Sequence, residues 1–132
     1  MSFSQGHALL IGVGADLPNT VEDANGLAAI LRDPERCAYP ATHVSVLTGA
    51  DATRVQVLAA LKTLAARTTQ DAMAIVYFSG HGYLVNSAQG KDYFLMPYGY
   101  RPNDLPGSAI ADREFAAALG QLRTKKLLVL LD

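Results

Sequence analysis

Two apolar runs in this chain end in residues able to do chemistry. Tyr77-Phe78-Ser79-Gly80-His81-Gly82 delivers a histidine between two glycines, and Leu127-Leu128-Val129-Leu130-Leu131-Asp132 delivers a carboxylate. Histidine titrates near neutrality and serves as general base or acid. The glycines carry no side chains, so a substrate backbone can come close and an amide N–H can face a developing oxyanion. A charge at the end of a buried strand is costly unless it is paired, solvated or used, which singles out Asp132. In open α/β sheets such residues collect at the carboxyl ends of the strands. The pattern predicts a hydrolytic site that has a histidine and a carboxylate and still lacks its nucleophile. A histidine in a glycine-rich turn also has an ordinary structural reading, and the motif alone does not choose between them.

The obvious nucleophiles fail. A serine elbow needs a glycine two residues before the serine, and Tyr77 occupies that position before Ser79. Cys37, the single thiol, lies between a helix stop and Tyr39-Pro40, on a loop entering the second strand. That is the wrong sheet edge for work with His81, so it reads as an incidental loop cysteine. Gly12-Val13-Gly14 begins like a dinucleotide fingerprint, but Leu17 stands where the third glycine belongs.

The elements that must position these residues follow from periodicity. Ala8 to Val13 is a continuous apolar run, the mark of a parallel strand buried on both faces. Thr20-Val21-Glu22-Asp23 has the capping-box form and predicts a helix to about Arg32, stopped by Asp33-Pro34. That assigns Asp23 a capping duty compatible with a site role. His43 to Thr48 predicts a second strand, Thr53 to Arg67 a helix with Val57, Leu58, Leu61, Leu64 and Ala65 on its buried stripe, and Ala72 to Phe78 a third strand. Lys91 to Pro97 predicts a peripheral strand. Asp112 is placed to cap a helix carrying Phe115, Leu119 and Leu122, and Leu127 to Leu131 is the last strand. The loop from Tyr98 to Ala109, rich in proline and glycine, is expected to be mobile or processed.

Strands alternating with helices predict an α/β fold with right-handed crossovers and a mostly parallel sheet flanked by helices on both faces. The expected core order is 2-1-3-4, counting the last strand as fourth. Leu9, Ile11, Ile75 and Val76 mark central strands, and His43 and Ser45 mark an edge.

Composition narrows the function classes. The 132 residues are half hydrophobic and 17% charged, with net charge −1. That describes one folded domain, residues 1–132, with no electrostatic footprint for nucleic acid. The apolar runs are far short of the roughly 20 residues that span a bilayer. One cysteine leaves no intrachain disulfide and no Cys-based zinc site. The first residues lack a basic region followed by a long apolar core, so no signal peptide is expected and the expected location is cytoplasmic.

Taken in order, the first strand His7 to Val13, the helix segment Glu22-Asp23-Ala24-Asn25-Gly26-Leu27, the motif Tyr77 to Gly82, Tyr93-Phe94-Leu95-Met96-Pro97 and the terminal Leu128 to Asp132 resemble a caspase-type cysteine peptidase of the bacterial caspase-like and metacaspase branch. The resemblance covers nearly the whole chain. It implies a caspase-like, flavodoxin-like fold, incomplete at its C-terminal end, with the nucleophilic cysteine one or two positions beyond Asp132. A histidine-to-cysteine spacing of about 50 residues fits that position. It implies that His81 is the catalytic base, that Gly82 donates its N–H to the oxyanion hole, and that Asp23, Ser79 and Asp132 line the pocket for the residue before the scissile bond. It also implies protein or peptide substrates, dependence on the rest of the catalytic domain after Asp132, further regulatory domains, and calcium activation in some relatives.

Relatives that cut after aspartate carry an arginine in the loop before the first helix; Asp16-Leu17-Pro18-Asn19 offers no basic residue. Relatives also carry an acid near the position of Pro97, where this chain has Tyr98-Gly99-Tyr100. The expectation is a cysteine endopeptidase that cleaves after arginine or lysine and is inactive as this segment alone. Two other classes compete. A non-catalytic homologue acting as scaffold or regulator would lack a cysteine after Asp132. A receiver-type module would want an aspartate where the third strand delivers Ser79-Gly80-His81.

Overall fold

The structure, a computed structural model, describes residues 2–132. The chain runs β1 (Gly6–Gly12), α1 (Asn19–Arg32), β2 (Val44–Thr48), α2 (Arg54–Arg67), β3 (Met73–Ser79), β4 (Gly82–Ser87), β5 (Gly90–Leu95), α3 (Leu105–Ser108), β6 (Ile110–Ala111), α4 (Asp112–Leu119) and β7 (Lys126–Leu131). The main sheet is parallel throughout, in the order β2-β1-β3-β7. This is the expected order with the last strand outermost.

The apolar run in β1 has the predicted cause. All seven of its residues are buried, because both sheet faces are covered. Alternation along the strand divides them. Leu9, Ile11 and Val13 pack with Val57 and Leu61 of α2 and Phe115 of α4. Ala8 and Leu10 pack with Ala24, Ala28 and Leu31 of α1. The same alternation splits β3, with Val76 and Phe78 toward α2 and α4, and Ile75 and Tyr77 toward α1. Each large apolar side chain buried this way contributes about 1.5–3 kcal/mol. Arg54 of α2 forms an ion pair with Glu114 of α4, joining the two helices on that face.

Three expectations are corrected. The capping box does not form. Helix α1 starts at Asn19, with Pro18 at the cap position in helical geometry and no side-chain cap. Thr20 therefore falls inside the first turn. Its hydroxyl accepts from the Gly14 N–H at 2.7 Å and donates to the Leu17 carbonyl at 2.8 Å. Asp23 has no capping duty. Asp112 is likewise the first helical residue rather than the cap, which is Ala111.

The peripheral strand stands outside the main sheet, as expected. It is β5, the middle of a small antiparallel sheet in the order β4-β5-β6. Its partner β4 is mostly exposed, so burial imposed no clear apolar alternation on it, and Ala88-Gln89 at the hairpin tip lacks the usual turn signal. The Tyr98–Ala109 loop is pinned. Tyr98 donates its N–H to the Ala52 carbonyl at 2.8 Å, α3 forms within the loop, and buried Ser108 bonds to the backbone of Arg101 and Asp104.

His7 is buried at the amino end of β1 and stacks on His43, with ring centroids 4.1 Å apart. Burial, and then the charges of His43 and Arg67, hold its pKa below the ordinary 6.5. A histidine depressed in this way binds fewer protons folded than unfolded. Its effect on stability is therefore absent above about pH 6.5, and stability falls as pH drops from there through the folded value. His7→Gln should flatten the acid slope of the unfolding free energy, measured by denaturant titration between about pH 7.5 and 5. A slope unchanged by the substitution would assign the acid sensitivity elsewhere.

Candidate active site

Three strand ends are laced together at the carboxyl edge. Val13 donates its N–H to the Ser79 carbonyl at 3.0 Å, Asp132 donates to the Phe78 carbonyl at 2.9 Å, and Gly80 donates to the Asp132 carbonyl at 3.1 Å. These bonds bring β1, β3 and β7 to one edge. They fix Asp132 beside Ser79, which lies two residues before His81 in the chain. The register pairs Tyr77 with Leu130 and Phe78 with Leu131, and the next step sets Ser79 opposite Asp132.

The pleat decides which side chains meet. Tyr77 faces α1, so Ser79, two residues on, shares that face. The Tyr77 hydroxyl donates to Asp132 Oδ2 at 3.4 Å. Its pKa is raised, first by burial and then by the negative charges of Asp132 and Asp23, while a hydrogen bond with Ser79 pulls the other way. Asp132 thus bonds this phenolic hydroxyl, and the charge of Asp23 acts on it through space. Sequence reasoning named Asp23, Ser79 and Asp132 and missed Tyr77. The signal was available in strand parity, since Tyr77 sits two positions before Ser79 on the same buried strand.

The two glycines beside His81 differ. A Cβ on Gly80 would press on Val13 and Phe78, so close packing demands glycine there. Gly82 opens β4, is exposed, and would carry a Cβ at an ordinary 3.7 Å from the Phe94 carbonyl. Packing therefore gives no reason for glycine at 82.

His81 is held at both ends. Its carbonyl accepts from the Met96 N–H at 2.9 Å, tying it to the end of β5. Its ring Nε2 lies 3.0 and 3.2 Å from the two carboxylate oxygens of Asp16. Asp16 was missed as a partner; the sequence reading noted only that its loop lacked a basic residue. The signal lay in the topology. Strands β1 and β3 are neighbours, so the loop leaving β1 reaches the edge where β3 delivers His81. Gly14 and Ala15 both take positive φ, +73° and +56°, and the Thr20 hydroxyl clamps the turn through the Gly14 N–H. For alanine that conformation costs about 1–2 kcal/mol.

His81 stands between two hollows. One, about 310 Å³, is bounded by Gly14, Asp16, Leu17 and Pro97. The other, about 360 Å³, is bounded by Tyr83, Met96, Tyr100, Pro102 and Leu105. A larger apolar hollow of about 710 Å³ lies between the β4–β5 hairpin, α4 and β7. Its one charged lining residue is Asp112, so it lacks the convergent groups of a catalytic centre. Cys37 lies near Tyr39, whose ring packs over Gly6 at the amino end of β1, on the opposite edge from His81. Among the described residues no cluster of three His, Cys, Asp or Glu side chains could hold a metal ion. No helix among the described residues is long and apolar enough to cross a membrane.

The caspase-domain family profile, Peptidase C14, matches residues 5–132. This chain belongs to the caspase-domain family. The caspase domain also superposes on the crystal structure of a Geobacter sulfurreducens protein solved as a structural-genomics target, with a TM-score of 0.71 and 24% identity. That match covers 96% of this chain and 48% of the other, and at this identity it speaks for the fold alone. The chain thus spans about half the length of that relative. No curated protein matches it significantly.

The His81 contact leaves a measurable trace on its partner. The hydrogen bond with His81 is the main cause that holds the Asp16 carboxyl below its ordinary pKa of 3.8. In a carbon-detected NMR titration Asp16 should ionise below the usual aspartate range, and His81→Ala should return it upward. A curve identical in both proteins would mean that the two side chains do not meet in solution.

Proposed function

We propose that the intact protein is a cysteine endopeptidase that cleaves after arginine or lysine. Membership of the caspase-domain family supports a caspase-like peptidase acting on protein substrates; the residue roles and the specificity are the further step. The observation that carries the reading is the placement of Asp132. Its N–H and carbonyl are bound to Phe78 and Gly80, on either side of Ser79. A cysteine one or two positions beyond it would emerge beside His81.

In this reading His81 takes the thiol proton and the thiolate attacks the scissile carbonyl. The Gly82 N–H, on a residue whose glycine packing does not explain, receives the oxyanion. The proton then passes from His81 to the leaving amine, and water releases the acyl group. Asp23, Ser79 and Asp132 receive the side chain before the scissile bond. Two carboxylates sharing one face of the sheet repel each other. A substrate guanidinium relieves that repulsion and can pair with one of them through two hydrogen bonds. The Tyr77 hydroxyl holds Asp132 from below. A substrate aspartate would bring a third negative charge with no nearby arginine to offset it, a mismatch that costs several kcal/mol.

Full-length protein should cleave peptides after Arg or Lys, and thiol alkylation should abolish that cleavage. His81→Ala should lower kcat/KM by about 10²–10⁴-fold, and Cys37→Ser should be nearly silent. Asp23→Ala and Asp132→Ala should raise KM for basic substrates. Asp23→Ala should also leave the thermal midpoint nearly unchanged, because Asp23 caps nothing. A peptide-library profile dominated by aspartate would overturn the specificity, and inactivation by Cys37→Ser with His81→Ala harmless would overturn the residue roles.

A further inference from the structure

We propose that Asp16 is the positioning residue for His81, so that the site works as a carboxylate–imidazole–thiol relay rather than a histidine–cysteine pair. This rests on the peptidase reading above and adds a third member to it. Both Asp16 carboxylate oxygens lie within hydrogen-bonding distance of one ring nitrogen, Nε2, at 3.0 and 3.2 Å. Among the described residues no protein group is bonded to Nδ1. The hydrogen bond at one imidazole nitrogen sets which tautomer the ring adopts. A carboxylate can only accept here, so the neutral ring keeps its proton on Nε2 and presents a bare Nδ1 lone pair. That is the form a general base requires.

The turn that carries Asp16 points the same way. The Asp16 and His81 side chains are 75% and 45% exposed, and an ion pair that open adds little to stability. Yet the chain holds Gly14 and Ala15 in left-handed geometry and clamps the turn with the buried Thr20 hydroxyl to present Asp16. Strained, clamped backbone that gains little stability is characteristic of functional sites. His81 is meanwhile fixed through its own carbonyl to Met96. The imidazole is thus gripped by its backbone on one side and by Asp16 on the other, and its free nitrogen remains for the reaction.

The proton and electron movements follow. The cysteine S–H proton passes to Nδ1 and leaves a thiolate beside an imidazolium. The Asp16 carboxylate keeps accepting from Nε2–H and stabilises that cation without taking its proton. The sulfur lone pair forms the C–S bond while the carbonyl π pair moves to oxygen. As the tetrahedral species collapses, the C–N bond breaks and the Nδ1 proton leaves with the amine.

The test uses the full-length protein and two readouts. Asp16→Ala should lower kcat by about 10²-fold while KM stays within about 2-fold. Asp16→Asn, which can donate to Nε2 and favour the wrong tautomer, should be at least as damaging, and Asp16→Glu should recover part of the rate. The thermal midpoint should not move, which separates positioning from folding. Independently of activity, long-range ¹⁵N–¹H spectra should show neutral His81 as the Nε2–H tautomer in the wild type and as a mixture in Asp16→Ala. Unchanged kcat in Asp16→Ala, or the same tautomer in both proteins, overturns the proposal. A wild type that cleaves no peptide sinks the peptidase reading instead, and the tautomer comparison then decides the positioning role alone.

Discussion

Parallel pairing of β1 with β3 and of β3 with β7 is the constraint from which the site descends. Parallel neighbours place their carboxyl ends side by side. Three backbone hydrogen bonds complete the edge, from Val13 to Ser79, from Asp132 to Phe78 and from Gly80 to Asp132. Without them Asp16, His81 and Asp132 would be three unrelated loop residues. Slipping β7 by one residue along β3 would also carry Asp132 to the opposite sheet face, away from Tyr77, because side chains alternate with period two.

The pleat then sorts the acids into separate tasks. Tyr77, Ser79 and Asp132 share the α1 side, where α1 also brings the charge of Asp23. Asp16 comes instead from the loop after β1 and meets the imidazole directly. The acids are thus divided between the α1 side of the sheet edge and the turn that contacts His81. The Tyr77 phenol, kept protonated by burial and by those same charges, donates its hydrogen into the first group and helps it coexist.

Burial decides how much of each element its own residues announce. Strands β1 and β3 lie between two helical layers, so their apolar runs are long and unmistakable. Strand β4 is mostly exposed and Tyr83, Leu84 and Tyr93 stand in solvent; no burial pattern marks it. Its glycine start was legible as part of the Gly-His-Gly motif and illegible as a strand. Strand β7 is outermost in its sheet, with Leu127, Leu128, Leu130 and Leu131 exposed. Its apolar character identified it even though burial in this structure does not account for that character.

The sequence by itself determined the parallel α/β class, the central place of β1 and β3, and the arrival of His81 and Asp132 at strand ends. Each of these follows from hydrophobic periodicity and chain order, which are local. It also carried the ordered motifs that mark the caspase domain. Tertiary structure alone decided three other matters. The Thr20 hydroxyl went to the β1–α1 turn instead of a helix cap, because α1 begins two residues earlier than a Thr20 cap requires, at Asn19. Tyr77 became the hydrogen-bond partner of Asp132, because parity and register align only once the strands pair. Asp16 reached His81 across a separation of 65 residues. No local pattern encodes that contact; it exists because neighbouring parallel strands end together and a clamped turn aims one carboxylate at the ring.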